Sequence, residues 1–271
     1  MSENKISVLP DVITPVSDAI HQNLPETEKQ ADGALSTVVG FFNNVVLYPV
    51  KKANLTFRYK LEAFEDDLKE KIKEIPAENL QVPPVKIAGP VLEALRYTYD
   101  EDELREMYEE MLASAMDNRK ANMVHRSYVD AVRQMEPMDA VVLKKIKAMG
   151  TVTSSHVRFN KAGTTSWYVN ALPYHFCADL CELGDPFQIS ASISNLIRLG
   201  LIISNIGILN KNAFEIIKSE KYIQERAQLY RKSNCEIDID ISDECQLLSL
   251  DSYGRQFVDI CMRYEVKRNA D

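Results

Sequence analysis

Apolar residues recur every three or four positions along most of the chain, the period of a helix with one buried face. The clearest run covers 57–75, where Leu61, Phe64, Leu68, Ile72 and Ile75 share a face and Glu65, Asp66, Asp67, Lys69, Glu70, Lys71 and Lys73 cover the rest. Such a charge run reads as a solvated face laced by i,i+4 pairs. Pro76 stops it. Residues 77–90 form a connector in which Pro83-Pro84 holds the backbone extended. Gly89-Pro90 then predicts a short buried helix over 91–97, with proline at its first position. Asp100 with Glu103 three residues on predicts a box-like start for a helix over 100–117. Its stripe is Leu104, Met107, Tyr108, Met111, Leu112, Ala115 and Met116. The acids Asp100–Glu103 sit at the positive end of the helix dipole. That explains them better than a metal site does, because no histidine or distant carboxylate pattern completes one. The methionines read as core. Two further helices fill 118–150. Ser127 can cap the first, which carries Tyr128, Val129, Val132 and Met135. Pro137 starts the second, with Ala140, Val141, Leu143, Ile146 and Met149 apolar and Gly150 ending it. His125, beside Arg126, reads as a helix start, a surface residue or a phosphate contact.

The pattern changes after Gly150. Residues 151–165 are polar, rich in turn formers and without a period, so they read as a loop or domain boundary. A helical period returns over 166–183 with Trp167, Tyr168, Ala171, Leu172, Phe176 and Leu180. Pro186 opens another helix with Ile189, Ile193, Leu196 and Ile197. This helix runs through Arg198 and Leu199 to Gly200 and then into Leu201-Ile202, as the third helix of a winged helix-turn-helix runs into its wing. Alternation over Cys235–Ile241 and Gln246–Leu250 predicts two strands. An amphipathic helix at about 213–231 (Phe214, Ile217, Ile223, Leu229) is inserted between the short apolar strand after Gly200 and these two, unusually long for a wing. A closing helix follows the turn at Gly254. The fold class expected is mainly α, with an N-terminal helical region followed by a winged-helix-like α+β domain. The divisions are 1–56, 57–150 and 151–271.

The N-terminal residues add a different feature. Val12, Ile13, Val16, Ala19 and Ile20 suit a short amphipathic helix over 11–22. From Gly33 to Val50 there is no charge at all. Eighteen residues is the lower edge of a membrane span. Leu35, Val38, Val39, Phe42, Val45 and Val46 fall on one helical face, widened by Phe41, Leu47 and Tyr48. Asn43 and Asn44 interrupt it, and a lipid-spanning helix would leave their amides poorly satisfied. Lys51, Lys52, Arg58 and Lys60 follow, a basic cluster that suits an anionic membrane surface. Three readings stay open: packing on protein, lying in a membrane interface, or spanning. The residues that would make a membrane or partner contact are Leu35, Val38, Val39, Phe41, Phe42, Val46, Lys51 and Lys52.

Composition changes the picture only in part. With 45 % apolar and 27 % charged residues, the chain is neither disordered, collagen-like nor polytopic. Five widely spread cysteines speak against a secreted disulfide framework and for reduced thiols in a cytosol. No basic region followed by an apolar run opens the chain, so no secretory signal is expected. The net charge of −8 leaves nucleic-acid binding to a local basic patch. In the helix Phe187–Leu199 the base is Arg198, with Asn195, Gln188 and serines beside it; Arg255 follows near the C-terminus. Recognition helices present more donors than this, and Asp238, Asp240, Asp243 and Glu244 would repel phosphate. The segment His175-Phe-Cys177-Ala-Asp-Leu-Cys181 puts two thiols at i,i+4, yet no second pair completes a zinc site. No phosphate-loop, dinucleotide, nucleophile-elbow or zincin motif is present. No enzyme, cofactor or metal is expected.

One block is specific in combination. It comprises Ile75-Pro76-Ala77-Glu78-Asn79-Leu80-Gln81-Val82-Pro83-Pro84, Ile87-Ala88-Gly89-Pro90-Val91-Leu92-Glu93-Ala94-Leu95, Asp102-Glu103-Leu104-Arg105-Glu106-Met107-Tyr108 and Leu112-Ala113-Ser114-Ala115-Met116-Asp117. It resembles the bacterial Abi-alpha (abortive infection alpha) family, a domain of unknown function. Leu199-Gly200-Leu201-Ile202 and Leu250-x-x-Tyr253-Gly254-Arg255-x-Phe257 resemble the C-terminal part of that family, so the likeness covers about 45–262. It implies a role in bacterial defence against bacteriophage, through halting or killing the infected cell. It supplies no catalytic residues.

Two mechanisms follow as expectations. The N-terminal apolar helix engages a membrane when the helical body releases it, or the protein is a soluble adaptor for a phage or host protein. The expected place is the cytoplasm, with a peripheral position at the inner membrane face for the first mechanism. A winged-helix DNA-binding regulator is the alternative, and self-association into a homo-oligomer is open.

Overall fold

A computed structural model describes residues 55–262 except Val169 and Asn234, together with Gly33. The amphipathic run at 11–22, the rest of the charge-free stretch to Val50, and Lys51 and Lys52 lie outside the described residues. Within them the protein is mainly helical, with a small three-stranded antiparallel sheet toward the C-terminus.

Helix α1 (Leu55–Ile72) buries Phe64, Leu68 and Ile72, as their spacing requires. Helix α2 (Val85–Thr98) starts earlier than the Gly89-Pro90 pair predicts, with Pro84 before its first turn and Pro90 inside it. The buried stripe begins at Ile87 and Ala88, and burying those side chains outweighs the backbone hydrogen bond that Pro90 cannot make. Helix α3 (Asp102–Met116) is preceded by Glu101, not by a box at Asp100. The Asp100 carboxylate pairs instead with Lys60 of α1. The methionines Met107, Met111 and Met116 are core. Helix α4 (Arg126–Arg133) is capped by His125, whose Nδ1 accepts the Ser127 N–H at 3.2 Å, so the cap stands two residues before the serine. Helix α5 (Pro137–Met149) has proline in its first turn, a reciprocal Glu136–Asp139 capping box and Gly150 at its end with φ 77°.

Four expectations for the C-terminal part need correction. Residues 151–161 are a strand, β1 (Thr151–Lys161), not a loop. Val152, Ser154, Val157 and Phe159 turn inward. The alternation was concealed because one inward residue is serine and an irregularity between Ser155 and Val157 shifts its phase. The described residues of 166–177 are not helical. They cross back over β1 through bridges Ser155↔Phe176 and Asn160↔Trp167, with Asn170 at φ 58°. Only Ala178–Leu183 is helical there, as a short 3-10 turn. The inserted helix is two, α7 (Lys211–Ser219) and α8 (Lys221–Lys232), separated at Glu220, whose carboxylate accepts the Tyr222 N–H at 2.6 Å. Here α6 is Pro186–Arg198, as Pro186 predicts.

The sheet runs β1-β3-β2, with β2 Ile202–Ile208 and β3 Ile237–Leu250. The two predicted alternating runs are thus one strand. Gly200, at φ 71°, turns α6 into β2. The closing helix α9 (Ser252–Cys261) is capped by Asp251, which accepts the Gly254 N–H at 2.6 Å. One buried cluster extends from Phe64 of α1 through Leu143, Val152, Leu196 and Leu248 to Phe257 and Cys261. A second, smaller one lies under α7 and α8, made of Val157, Phe159, Phe176, Ile217, Ile223, Ala227 and Cys245 among others.

Candidate functional site

Helix α6 turns Ile189, Ile193 and Leu196 inward and leaves Phe187, Gln188, Ala191, Ser194 and Arg198 exposed. The basic residue of this face is held within the protein. The Arg198 guanidinium donates Nε and Nη2 to Asn195 Oδ1 at 3.0 and 2.7 Å and Nη1 to Gln134 Oε1 at 3.0 Å. Asn195 in turn donates its amide to the Gln134 carbonyl at 2.9 Å and to Asp139 Oδ2 at 2.6 Å. The same Asp139 oxygen accepts the Glu136 N–H at 2.9 Å. One network therefore ties the C-terminal turn of α6 to the junction of α4 and α5.

Arg255 stands on a different element. Its Nε reaches the Leu250 carbonyl at 3.4 Å, and its side chain lines a cleft of about 370 Å³ with Lys147, Gly150, Leu250, Val258 and Asp259. Lys147 donates to the Val258 and Met262 carbonyls at the end of α9, both at 3.3 Å, and burial lowers its pKa. Among the described residues Arg198 and Arg255 share no hydrogen-bond partner. The run Tyr253-Gly254-Arg255 is chiefly a corner. The Tyr253 hydroxyl lies 2.7 Å from Ser127 Oγ, its ring 5.3 Å from that of Tyr128, and Tyr128 meets Phe257 edge-on at 5.5 Å.

The thiol segment is also structural. Cys177 precedes the short 3-10 turn and Cys181 lies within it, donating to the Cys177 carbonyl at 3.4 Å. Burial pushes Cys177 up to about 12 and Cys181 up to about 11, so neither is a ready thiolate at neutral pH. His175 is buried, with Nδ1 3.2 Å from Ser154 Oγ and its N–H donated to Ser190 Oγ at 3.0 Å. Burial holds its pKa below the ordinary histidine value. Among the described residues no group of three His, Cys, Asp or Glu side chains could hold a metal ion. No described helix is long and apolar enough to cross a membrane.

Two features escaped the sequence reading. One is a charge cluster between α1 and α3. Lys71 Nζ lies 2.6 Å from Glu110 and 3.6 Å from Glu109, and Arg105 Nε lies 3.5 Å from Glu109. The solvated-face reading hides it, since Lys71 is one of nine charged residues on that helix. The other is the length and exposure of edge strand β2 beyond Ile202, where Ile206 and Ile208 are 79 % and 84 % exposed. Its signal was a charge-free, alternating IISNIGI after the Gly200 turn.

A helical body with a small sheet, with His175 and Cys177 buried and the surface Arg198 internally bonded, is the class of protein these features define. Its relatives are identified by sequence: the family model for abortive infection alpha matches residues 56–261, and the chain belongs to that family. No curated protein and no solved structure matches it.

Proposed function

We propose that this protein acts in abortive infection against bacteriophage without enzymatic chemistry, through contacts with a phage or host protein made by a winged-helix unit. The family supports the process. The winged-helix reading is supported by the order α5, β1, short helix, α6, β2, β3 and by the strand order β1-β3-β2. In that frame α6 takes the place of a recognition helix and the α7–α8 hairpin replaces the wing tip. The observation that carries the reading is the bonding of Arg198 to Asn195 and Gln134. Phosphate recognition needs several free bases together, whereas the exposed face of α6 carries the one base Arg198, already bonded to amide oxygens, and is otherwise uncharged and partly apolar. Full-length protein captured from infected cells should enrich a phage or host protein over uninfected controls, and Ala191→Asp should weaken that capture. Salt-dependent binding to duplex DNA, weakened by Arg198→Ala and Arg255→Ala, would instead establish the DNA-regulator reading.

The charge-free stretch 33–50 followed by Lys51 and Lys52 supports a second contact, with the inner face of the cytoplasmic membrane. An apolar helix followed by bases binds anionic lipid through both terms. Full-length protein should sediment with anionic vesicles, and Phe42→Asp with Val46→Asp should leave it in the supernatant. Equal sedimentation of the two would remove the membrane from the proposal.

A further inference from the structure

The fold treats the two edges of its sheet differently. Along β1 the outer backbone is occupied by the segment that crosses back over it. Ser155 and Phe176 exchange both backbone hydrogen bonds, at 2.8 and 3.2 Å, and the Lys161 and Tyr168 N–H groups donate to Ser166 and Phe159 carbonyls at 2.7 and 2.9 Å. That strand also carries Arg158 and Lys161. Among the described residues no segment pairs along the outer backbone of strand β2, and its own sequence carries no such protection. Ile202–Ile208 contains neither a charge nor a proline, the devices by which exposed edges are normally blunted.

The direction of its free groups follows from the ladder. The Leu209 N–H donates to the Asp243 carbonyl at 3.0 Å, and β2 pairs with β3 in unbroken register, Ile206 opposite Gln246 and Ile208 opposite Glu244. Hydrogen-bonded and non-bonded pairs alternate in an antiparallel ladder. Asn205 and Gly207 therefore bond toward β3, while Ser204, Ile206 and Ile208 turn their N–H and C=O groups outward. The side chains of Ile206 and Ile208 fall on one face, and both are exposed.

We propose that β2 is a dimerisation edge, pairing antiparallel with β2 of a second copy about a two-fold axis to make one continuous sheet. A two-fold interface must be complementary to itself. An uncharged strand meets no like charge in its own copy, and a charged foreign strand would find no counter-ion along it. With Ile206 opposite Ile206 of the second copy, Ser204 stands opposite Ile208. The outward-facing residues then exchange their backbone bonds, and the isoleucines of both copies cluster on one face. This inference does not rest on the contact proposed for α6.

Light scattering on full-length protein across a dilution series tests it. The protein should run at twice its 30.8 kDa chain mass, and Leu229→Lys, an exposed substitution on α8, should leave that mass unchanged. Ile206→Lys should halve it with an unchanged far-ultraviolet spectrum. Mixing Ile206→Lys with Ile206→Glu should restore a mixed dimer, since the register sets these side chains opposite each other. A wild-type monomer throughout the series overturns the proposal. So does an oligomer that survives Ile206→Lys, or a Lys/Glu mixture that stays monomeric.

Discussion

Gly254 packs directly on the carbonyl of Leu201: a Cβ built at Gly254 would lie 1.8 Å from the Leu201 oxygen and 2.8 Å from its carbon. The contact sets the start of α9 on the turn between α6 and β2. The residue is glycine for space, because its neighbour here is backbone and cannot swing away. Gly254→Ala should therefore lower stability by about 3 kcal/mol, the upper part of the usual overpacking range. Urea unfolding of the variant checks this. A loss below about 0.5 kcal/mol, the size of an ordinary surface change, would mean that α9 shifts freely.

Asn195 stands between a buried carboxylate and an exposed arginine. Asp139 is 2 % exposed and receives the Asn195 amide at 2.6 Å. Asn195→Ala removes that donor and should cost about 1–3 kcal/mol, the penalty of a buried polar group left short of a partner. Asn195→Asp should cost more at neutral pH, because two carboxylates at this separation cannot both ionise comfortably. Its penalty should shrink as the pH falls and one of the pair takes up a proton. Unfolding curves at neutral and mildly acidic pH test this, and a penalty independent of pH would refute it.

The legible parts of the chain were those in which one local signal agreed with burial. Phe64, Leu68 and Ile72 repeat with the helical period and are buried on α1. Pro137 and Gly150 bound α5, and the Gly200 turn leads into β2. Where two signals competed, the sequence misled. Gly89-Pro90 is a sound helix start by local rules, but tertiary burial of Ile87 and Ala88 carries α2 through it. Trp167, Leu172 and Phe176 are spaced like a helix, yet Phe176 bonds across to Ser155 instead. The Arg198 network was hidden for a different reason. Its members come from two distant parts of the chain, Gln134 and Asp139 at the α4–α5 junction and Asn195 on α6, and no local pattern announces such a meeting.

Glu109 gives the contact between α1 and α3 a pH dependence of definite sign. Its side chain is 6 % exposed. Burial pushes its pKa up from 4.5 to about 7, although Lys71 and Arg105 pull the other way and Asp67 adds to the rise. The folded protein thus keeps a proton on Glu109 that the unfolded chain releases near the ordinary glutamate value. The stabilisation from this group is complete below about pH 4.5 and is lost as the pH rises through about 7. Glu109→Gln carries no titrating proton and should remove that descent. Unfolding free energies of wild type and Glu109→Gln, compared across this range, should diverge in the variant's favour as the pH rises. Parallel profiles would show that Glu109 is charged in the folded protein throughout. The Lys71 and Arg105 contacts would then outweigh its desolvation, and the hold of α1 on α3 would not depend on this carboxyl.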